Sequence, residues 1–151
     1  HGACFRIHLP RCVPAPVAPP GAIPAASAAK TETVLVVEDN PELLELTGEQ
    51  LGQLGYRILA TSSASAALEI AASAADGIDL LLTDVIMPEQ NGRELAERLR
   101  AQHPRMRVLF MSGYPADILS QRGVVAGDVQ FLQKPFDVAT LARKIRAVLD
   151  S

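Results

Sequence analysis

The hydrophobic pattern of the chain changes near residue 31. Beyond it, short apolar runs alternate with stretches in which leucine, isoleucine and valine recur every three or four residues. Thr33-Val34-Leu35-Val36-Val37 and Ile78-Asp79-Leu80-Leu81-Leu82-Thr83-Asp84 are largely apolar and end at turn-forming residues. Runs of this kind predict strands buried on both faces of a parallel sheet. Strands are expected at about 33–38, 56–61, 78–84, 107–112 and 129–133, and helices at about 41–54, 63–75, 91–102, 115–122 and 137–150. Leu43, Leu44, Leu46, Leu51 and Leu54 lie at helical spacing, as do Leu95 and Leu99, and later Leu141, Ile145, Val148 and Leu149. Pro41 suits a first helical turn with Asn40 or Asp39 as its cap, Gly55 suits the end of that helix, and Asn91-Gly92 marks the turn before the third. Five strands alternating with five helices imply right-handed crossovers and a parallel sheet covered on both sides.

Residues 1–30 do not follow this rhythm. Val13-Pro14-Ala15-Pro16-Val17-Ala18-Pro19-Pro20-Gly21 can supply neither a hydrogen-bond ladder nor a helix, so residues 13–30 read as a semi-extended linker. Residues 31–151 are then one domain, of ordinary size. All 17 acidic residues and 11 of the 14 basic ones fall after residue 30, a net charge of −6 for that domain. An acidic domain is a poor partner for nucleic acid. No apolar stretch approaches the roughly 18 residues that a membrane span needs. Cys4 and Cys12 match no zinc spacing and suggest no disulfide framework. A signal peptide is not expected, and a chain opening on His1 reads as a piece of something longer or as one carrying a leftover added sequence.

The chemistry concentrates where the predicted strands end. The first runs into Glu38-Asp39, the third ends at Asp84, the fourth at Ser112, and the fifth runs into Lys134-Pro135. In a parallel α/β sheet these ends share one edge, which is where open sheets bind ligands. Three carboxylates gathered there repel one another unless a cation compensates. Magnesium suits them, because it prefers oxygen ligands and keeps several waters. Asp39 and Asp84 are candidate direct ligands, Glu38 a direct or water-mediated one, and the backbone carbonyl of Ile86 a further one. Lys134 can pair with a carboxylate at rest and with a phosphoryl oxygen after transfer, and the Ser112 hydroxyl can donate to the same group. An aspartate can serve as a phosphoryl-accepting nucleophile, and phosphoryl transfer needs mainly positioning and charge stabilisation.

From about Thr33 to Leu149 the chain closely resembles the response-regulator receiver domain. The resemblance rests on Glu38-Asp39, on Asp84-Val85-Ile86-Met87-Pro88 with Gly92, on Ser112, and on Lys134-Pro135-Phe136, in matching order and spacing. It implies a flavodoxin-like doubly wound (βα)5 fold, a three-layer sandwich with sheet order 2-1-3-4-5. It implies that Asp84 is the phosphoacceptor, that Glu38 and Asp39 hold Mg2+, and that Ser112 and Lys134 are the family's hydroxyl and lysine. It also implies that Phe131 is the switch aromatic and that the bond preceding Pro135 is cis. The partner it implies is a histidine kinase or a histidine phosphotransfer protein, and the location is the cytoplasm. Met111-Ser112-Gly113-Tyr114 with Phe131-Leu132-Gln133-Lys134-Pro135-Phe136 is similar to receivers at the C-terminus of hybrid histidine kinases. In the same vein, Gly2, Phe5, Ile7, Leu9 and Pro10 resemble the last strand of a kinase ATP-binding domain, which would make residues 1–12 part of the parent kinase. The common threonine after the glycine is Ala3 here.

Three other functions fit less well. An aspartate-nucleophile phosphatase of the haloacid-dehalogenase type needs a second acid two residues after the nucleophile, where this chain has Ile86. A receiver serving only as an unphosphorylated binding module should lack a site element, and none is missing. A dinucleotide-binding domain needs a glycine-rich loop after the first strand, where Glu38-Asp39-Asn40-Pro41 stands. No DNA-binding output domain is expected, so output should be protein contact, phosphoryl passage to another histidine, or feedback on a kinase.

Overall fold

The computed structural model describes residues 32–75, 77–88, 90–114 and 129–151. Five strands form one parallel sheet: β1 (Thr33–Val37), β2 (Arg57–Thr61), β3 (Leu80–Asp84), β4 (Arg107–Ser112) and β5 (Phe131–Gln133). Their order across the sheet is β2-β1-β3-β4-β5. Each neighbouring pair is parallel, with Val37 beside Thr83, Asp84 beside Met111 and Ser112 beside Gln133. This is the expected 2-1-3-4-5 order, and it sets the ends of β1, β3, β4 and β5 along one edge.

Four helices are described: α1 (Pro41–Gln53), α2 (Ala64–Ser73), α3 (Gly92–Gln102) and α4 (Val138–Leu149). Each begins at a side chain that accepts an amide from the first turn: Asn40, Ser63, Asn91 and Asp137. Asn40 rather than Asp39 caps α1, its Oδ1 accepting the Leu43 amide at 3.1 Å, so Asp39 is left exposed at the sheet edge. Gly55 follows α1 at φ 88°, a left-handed conformation that favours glycine after a helix end. The expected helix at 115–122 and the segments 1–12 and 13–30 lie outside the described residues.

The sheet divides the core into two apolar layers. Leu35, Val37, Leu81 and Phe110 face α2 and α3 through Ala67, Ala71, Leu95 and Leu99. Val34, Val36, Leu82, Leu109 and Met111 pack with Leu51, Leu141, Ile145 and Val148 from α1 and α4. Alternate residues of β1 and β3 thus enter opposite layers, which is why these strands are apolar throughout. Three expectations are corrected. The third strand starts at Leu80, with Asp79 leading into it: its backbone bonds Thr33 and Arg107, and its Oδ2 accepts the Thr33 amide at 2.8 Å. The fifth starts at Phe131, since its register with β4 covers only three residues. Leu46, counted in the apolar stripe of α1, is 50% exposed, and Thr47 fills the core position beside it.

No described helix is long and apolar enough to cross a membrane.

Candidate functional site

The carboxyl edge of the sheet gathers the predicted groups. Glu38 follows β1, and its amide donates to the Thr61 carbonyl at 3.3 Å, which extends the strand by one residue and buries the carboxylate. Asp39 is exposed and Asp84 lies between them in depth. One carboxylate oxygen from each of Glu38, Asp39 and Asp84 lies within 4.8 Å of the others. The set contains hard oxygen donors only, which suits a divalent cation of the magnesium or calcium kind.

Lys134 closes the site from β5. Its Nζ donates to Glu38 Oε2 at 2.5 Å and to Asp84 Oδ2 at 2.6 Å. Its own amide donates to the Ser112 carbonyl at 2.8 Å, which fixes the base of the lysine against β4. The Lys134–Pro135 peptide bond is cis. Only 2% of the Glu38 side chain and 14% of the Lys134 side chain reach solvent, so the ammonium is the internal counter-charge for two crowded acids. Burial pushes the Glu38 carboxyl above its ordinary value of 4.5, against the lowering by Lys134. For Lys134, burial pulls downward, but the hydrogen bonds and charges of Asp84 and Glu38 outweigh it and hold the ammonium above its ordinary 10.5.

Asp84 is held from several sides. Its Oδ1 accepts the Ile86 amide at 3.0 Å, and its backbone carbonyl accepts the hydroxyl of buried Thr83 at 3.0 Å. Gly92 lies directly against that carbonyl, where a Cβ would clash with the backbone oxygen. The glycine is therefore required by a close approach of α3 to the Asp84 backbone, where the sequence suggested a turn. Ser112 is buried, and its hydroxyl accepts the Tyr114 amide at 3.0 Å. A hydroxyl has one proton and two lone pairs, so Ser112 can accept this bond and still donate. Phe131 is half-buried at the start of β5, beside Phe110, and packs on the layer that includes Leu95 and Leu99. Ile86 is 48% exposed at the rim.

The structure thus brings Glu38, Asp39, Asp84 and Lys134 together and sets Ser112 on the same edge. Sequence reading missed Thr83 and the Ile86 amide. A threonine inside an apolar run signals only a strand, and a backbone amide carries no residue-type signal at all.

Three acids and a lysine at the carboxyl edge of an open α/β sheet form a charged site where such sheets bind ligands. The model of the response regulator receiver domain matches residues 34–146, and the chain belongs to that family. It is 32% identical to the sensor kinase CckA of Brucella abortus (strain 2308), a match that covers 99% of this chain and 17% of the kinase. Among solved structures it is similar to the receiver domain of the hybrid histidine kinase CckA (34% identity, TM-score 0.65, 78% of this chain and 98% of that one). It is also similar to the chemotaxis protein CheY4 of Vibrio cholerae (26% identity, TM-score 0.70, 79% and 99%). The chain spans between 17% and 49% of the length of that sensor kinase and of the transcriptional regulators it matches. It is a receiver domain of two-component signalling, a family whose general function is to accept a phosphoryl group.

Proposed function

We propose that this receiver accepts a phosphoryl group from a phosphohistidine onto Asp84, with Mg2+, as the C-terminal receiver of a hybrid histidine kinase. The observation that carries the chemistry is the convergence of Glu38, Asp39 and Asp84 within 4.8 Å, with Lys134 bonded to two of them. Glu38, Asp39, Asp84 and the Ile86 carbonyl would hold the metal, which supplies charge neutralisation for the transferring group. An Asp84 carboxylate oxygen attacks phosphorus, the phosphorus–nitrogen bond breaks, and the histidine nitrogen keeps the electron pair. Lys134 and Ser112 then donate to phosphoryl oxygens, where charge has accumulated. Phe131 follows by packing and turns the change into an altered surface for protein contact.

The placement in a hybrid kinase has separate support. The family model begins at residue 34, whereas the likeness to the sensor kinase covers 99% of the chain and so takes in the segment before the domain. Residues 1–12 are then the last strand of the kinase's ATP-binding domain, and residues 13–30 the tether that sets the receiver's effective concentration near it. The partners are a histidine kinase or a histidine phosphotransfer protein in the cytoplasm, and the output is protein contact.

Incubation with a small phosphodonor and Mg2+, followed by mapping of the adduct by mass spectrometry, tests this function. The label is expected on Asp84 and absent in Asp84→Asn. Labelling of that variant at the wild-type level overturns the assignment.

A further inference from the structure

We propose that Thr83 is a positioning residue for the phosphoryl-accepting carboxylate, acting through the Asp84–Val85 peptide unit; this rests on Asp84 being the acceptor. Thr83 is completely buried, and its side chain is one of few polar groups inside an otherwise apolar sheet. Its hydroxyl stands 3.0 Å from the Asp84 carbonyl oxygen and 4.0 Å from Met87 Sδ. One proton cannot serve both acceptors, and the carbonyl is the nearer and stronger one.

The carbonyl that Thr83 engages is the one Gly92 packs against. A Cβ built on Gly92 would also fall 3.1 Å from Thr83 Oγ1, so hydroxyl, carbonyl and glycine form one tight cluster. On the far side of the same peptide unit, the Val85 amide donates to the Met111 carbonyl at 2.9 Å; in the next unit, the Val85 carbonyl accepts the Gly92 amide at 3.0 Å. The Asp84–Val85 peptide is therefore restrained on both sides, and Thr83 supplies the restraint from within β3.

That restraint reaches the reacting atoms by a short covalent path. The Asp84–Val85 peptide is the base from which the next unit, carrying the Ile86 amide, is built; that amide holds Asp84 Oδ1 at 3.0 Å, and Gly92 steadies the unit through the Val85 carbonyl. The Asp84–Val85 peptide also sets the direction in which the Asp84 side chain leaves the strand. Lys134 holds one carboxylate oxygen, Oδ2, at 2.6 Å, and the Ile86 amide holds the other. An attacking oxygen must sit within a few tenths of an ångström of its line of approach, and a misplacement of about 1 Å can cost roughly a hundredfold in rate. The desolvation of this buried hydroxyl is offset by the hydrogen bond it makes to the Asp84 carbonyl, which holds the carbonyl in place.

Thr83→Val keeps the shape and the strand preference and removes only the hydroxyl. Two measurements on the full chain are needed: amide hydrogen exchange at Ile86 by NMR, and phosphorylation kinetics with a small phosphodonor as donor and Mg2+ are titrated. In Thr83→Val, Ile86 exchange is expected to quicken and the maximal phosphorylation rate to fall by about tenfold. Half-saturating Mg2+ and donor concentrations should stay where they are, and Thr83→Ser should restore both readouts. Unchanged Ile86 exchange in Thr83→Val overturns the inference, whether or not the protein is phosphorylated. So does a Thr83→Ser variant as slow as Thr83→Val, since the methyl group would then be what matters. A weakened Mg2+ response in Thr83→Val also overturns it, by assigning the hydroxyl to the metal site. Failure of the wild type to be labelled at Asp84 would sink the proposed function instead, and the exchange measurement would still decide the placement of Asp84.

Discussion

Lys134 bears two loads at once, as counter-ion to Glu38 and as partner to Asp84. Removing one member of a buried charge cluster leaves the others uncompensated, at a cost of about 3–5 kcal/mol. Lys134→Ala is expected to lose stability on that scale in urea unfolding. Added Mg2+ should raise its melting temperature by more than it raises the wild type's, because the cation then replaces a missing charge. Glu38 makes a prediction about pH. Its carboxyl titrates above 4.5 in the folded state, so its contribution to stability is complete below 4.5 and is lost as pH rises through the raised value. The stability of the wild type relative to Glu38→Gln should therefore increase as pH falls through that window, measured by unfolding at several pH values without metal. The acids and the lysine were legible in the sequence because strand ends place them: once the apolar runs are located, Glu38, Asp84 and Lys134 have only one edge to occupy. Thr83 and the Ile86 amide were not legible, because their roles depend on how one peptide unit is turned, and residue type does not encode that.

At the scale of elements, α1 shows where periodicity stops being informative. Five leucines at helical spacing locate the helix, but successive residues differ by about 100° in direction, so a one-position error moves a side chain from core to solvent. Leu46 is the residue so misplaced, and Thr47 takes the buried position. Its hydroxyl finds no hydrogen-bond partner among the described residues. Thr47→Val keeps the volume and removes an unsatisfied polar atom, so a gain of about 1 kcal/mol is expected in denaturant unfolding. β5 shows the converse. The apolar run from Val129 suggested a five-residue strand, yet only Phe131, Leu132 and Gln133 pair in register with β4. An edge strand has one neighbour, and its length is set by that neighbour's reach rather than by its own composition. The Gln130 carbonyl still accepts the Phe110 amide at 3.0 Å, so the approach to the ladder begins before the strand does.

Over the whole molecule, the fold separates the site from the chain's entry. The acids, Ser112 and Lys134 stand at the carboxyl edge of the sheet, while β1 begins at the opposite edge. A phosphoryl mimic such as beryllofluoride, added with Mg2+, is expected to slow amide exchange at residues 112–114 and 131–136 and to leave β2 unchanged. Equal protection of all strands would mean simple stabilisation rather than a local switch. The sheet order was legible from the sequence by way of the resemblance, but the fastening of the molecule's far end was not. There Arg146 of α4 grips both oxygens of Glu32 at 2.9–3.0 Å and reaches Asp150 at 2.9 Å, joining residues 114 apart. This half-buried, bidentate pair shows that the first described residue and the end of the last helix are neighbours. A short loop could therefore join residue 151 to residue 32 without crossing the molecule, and new ends could be opened in a surface turn. Such a circular permutant would keep Asp84 and its companions untouched, and a reporter attached at residue 151 would hang from the pole that no phosphodonor has to approach.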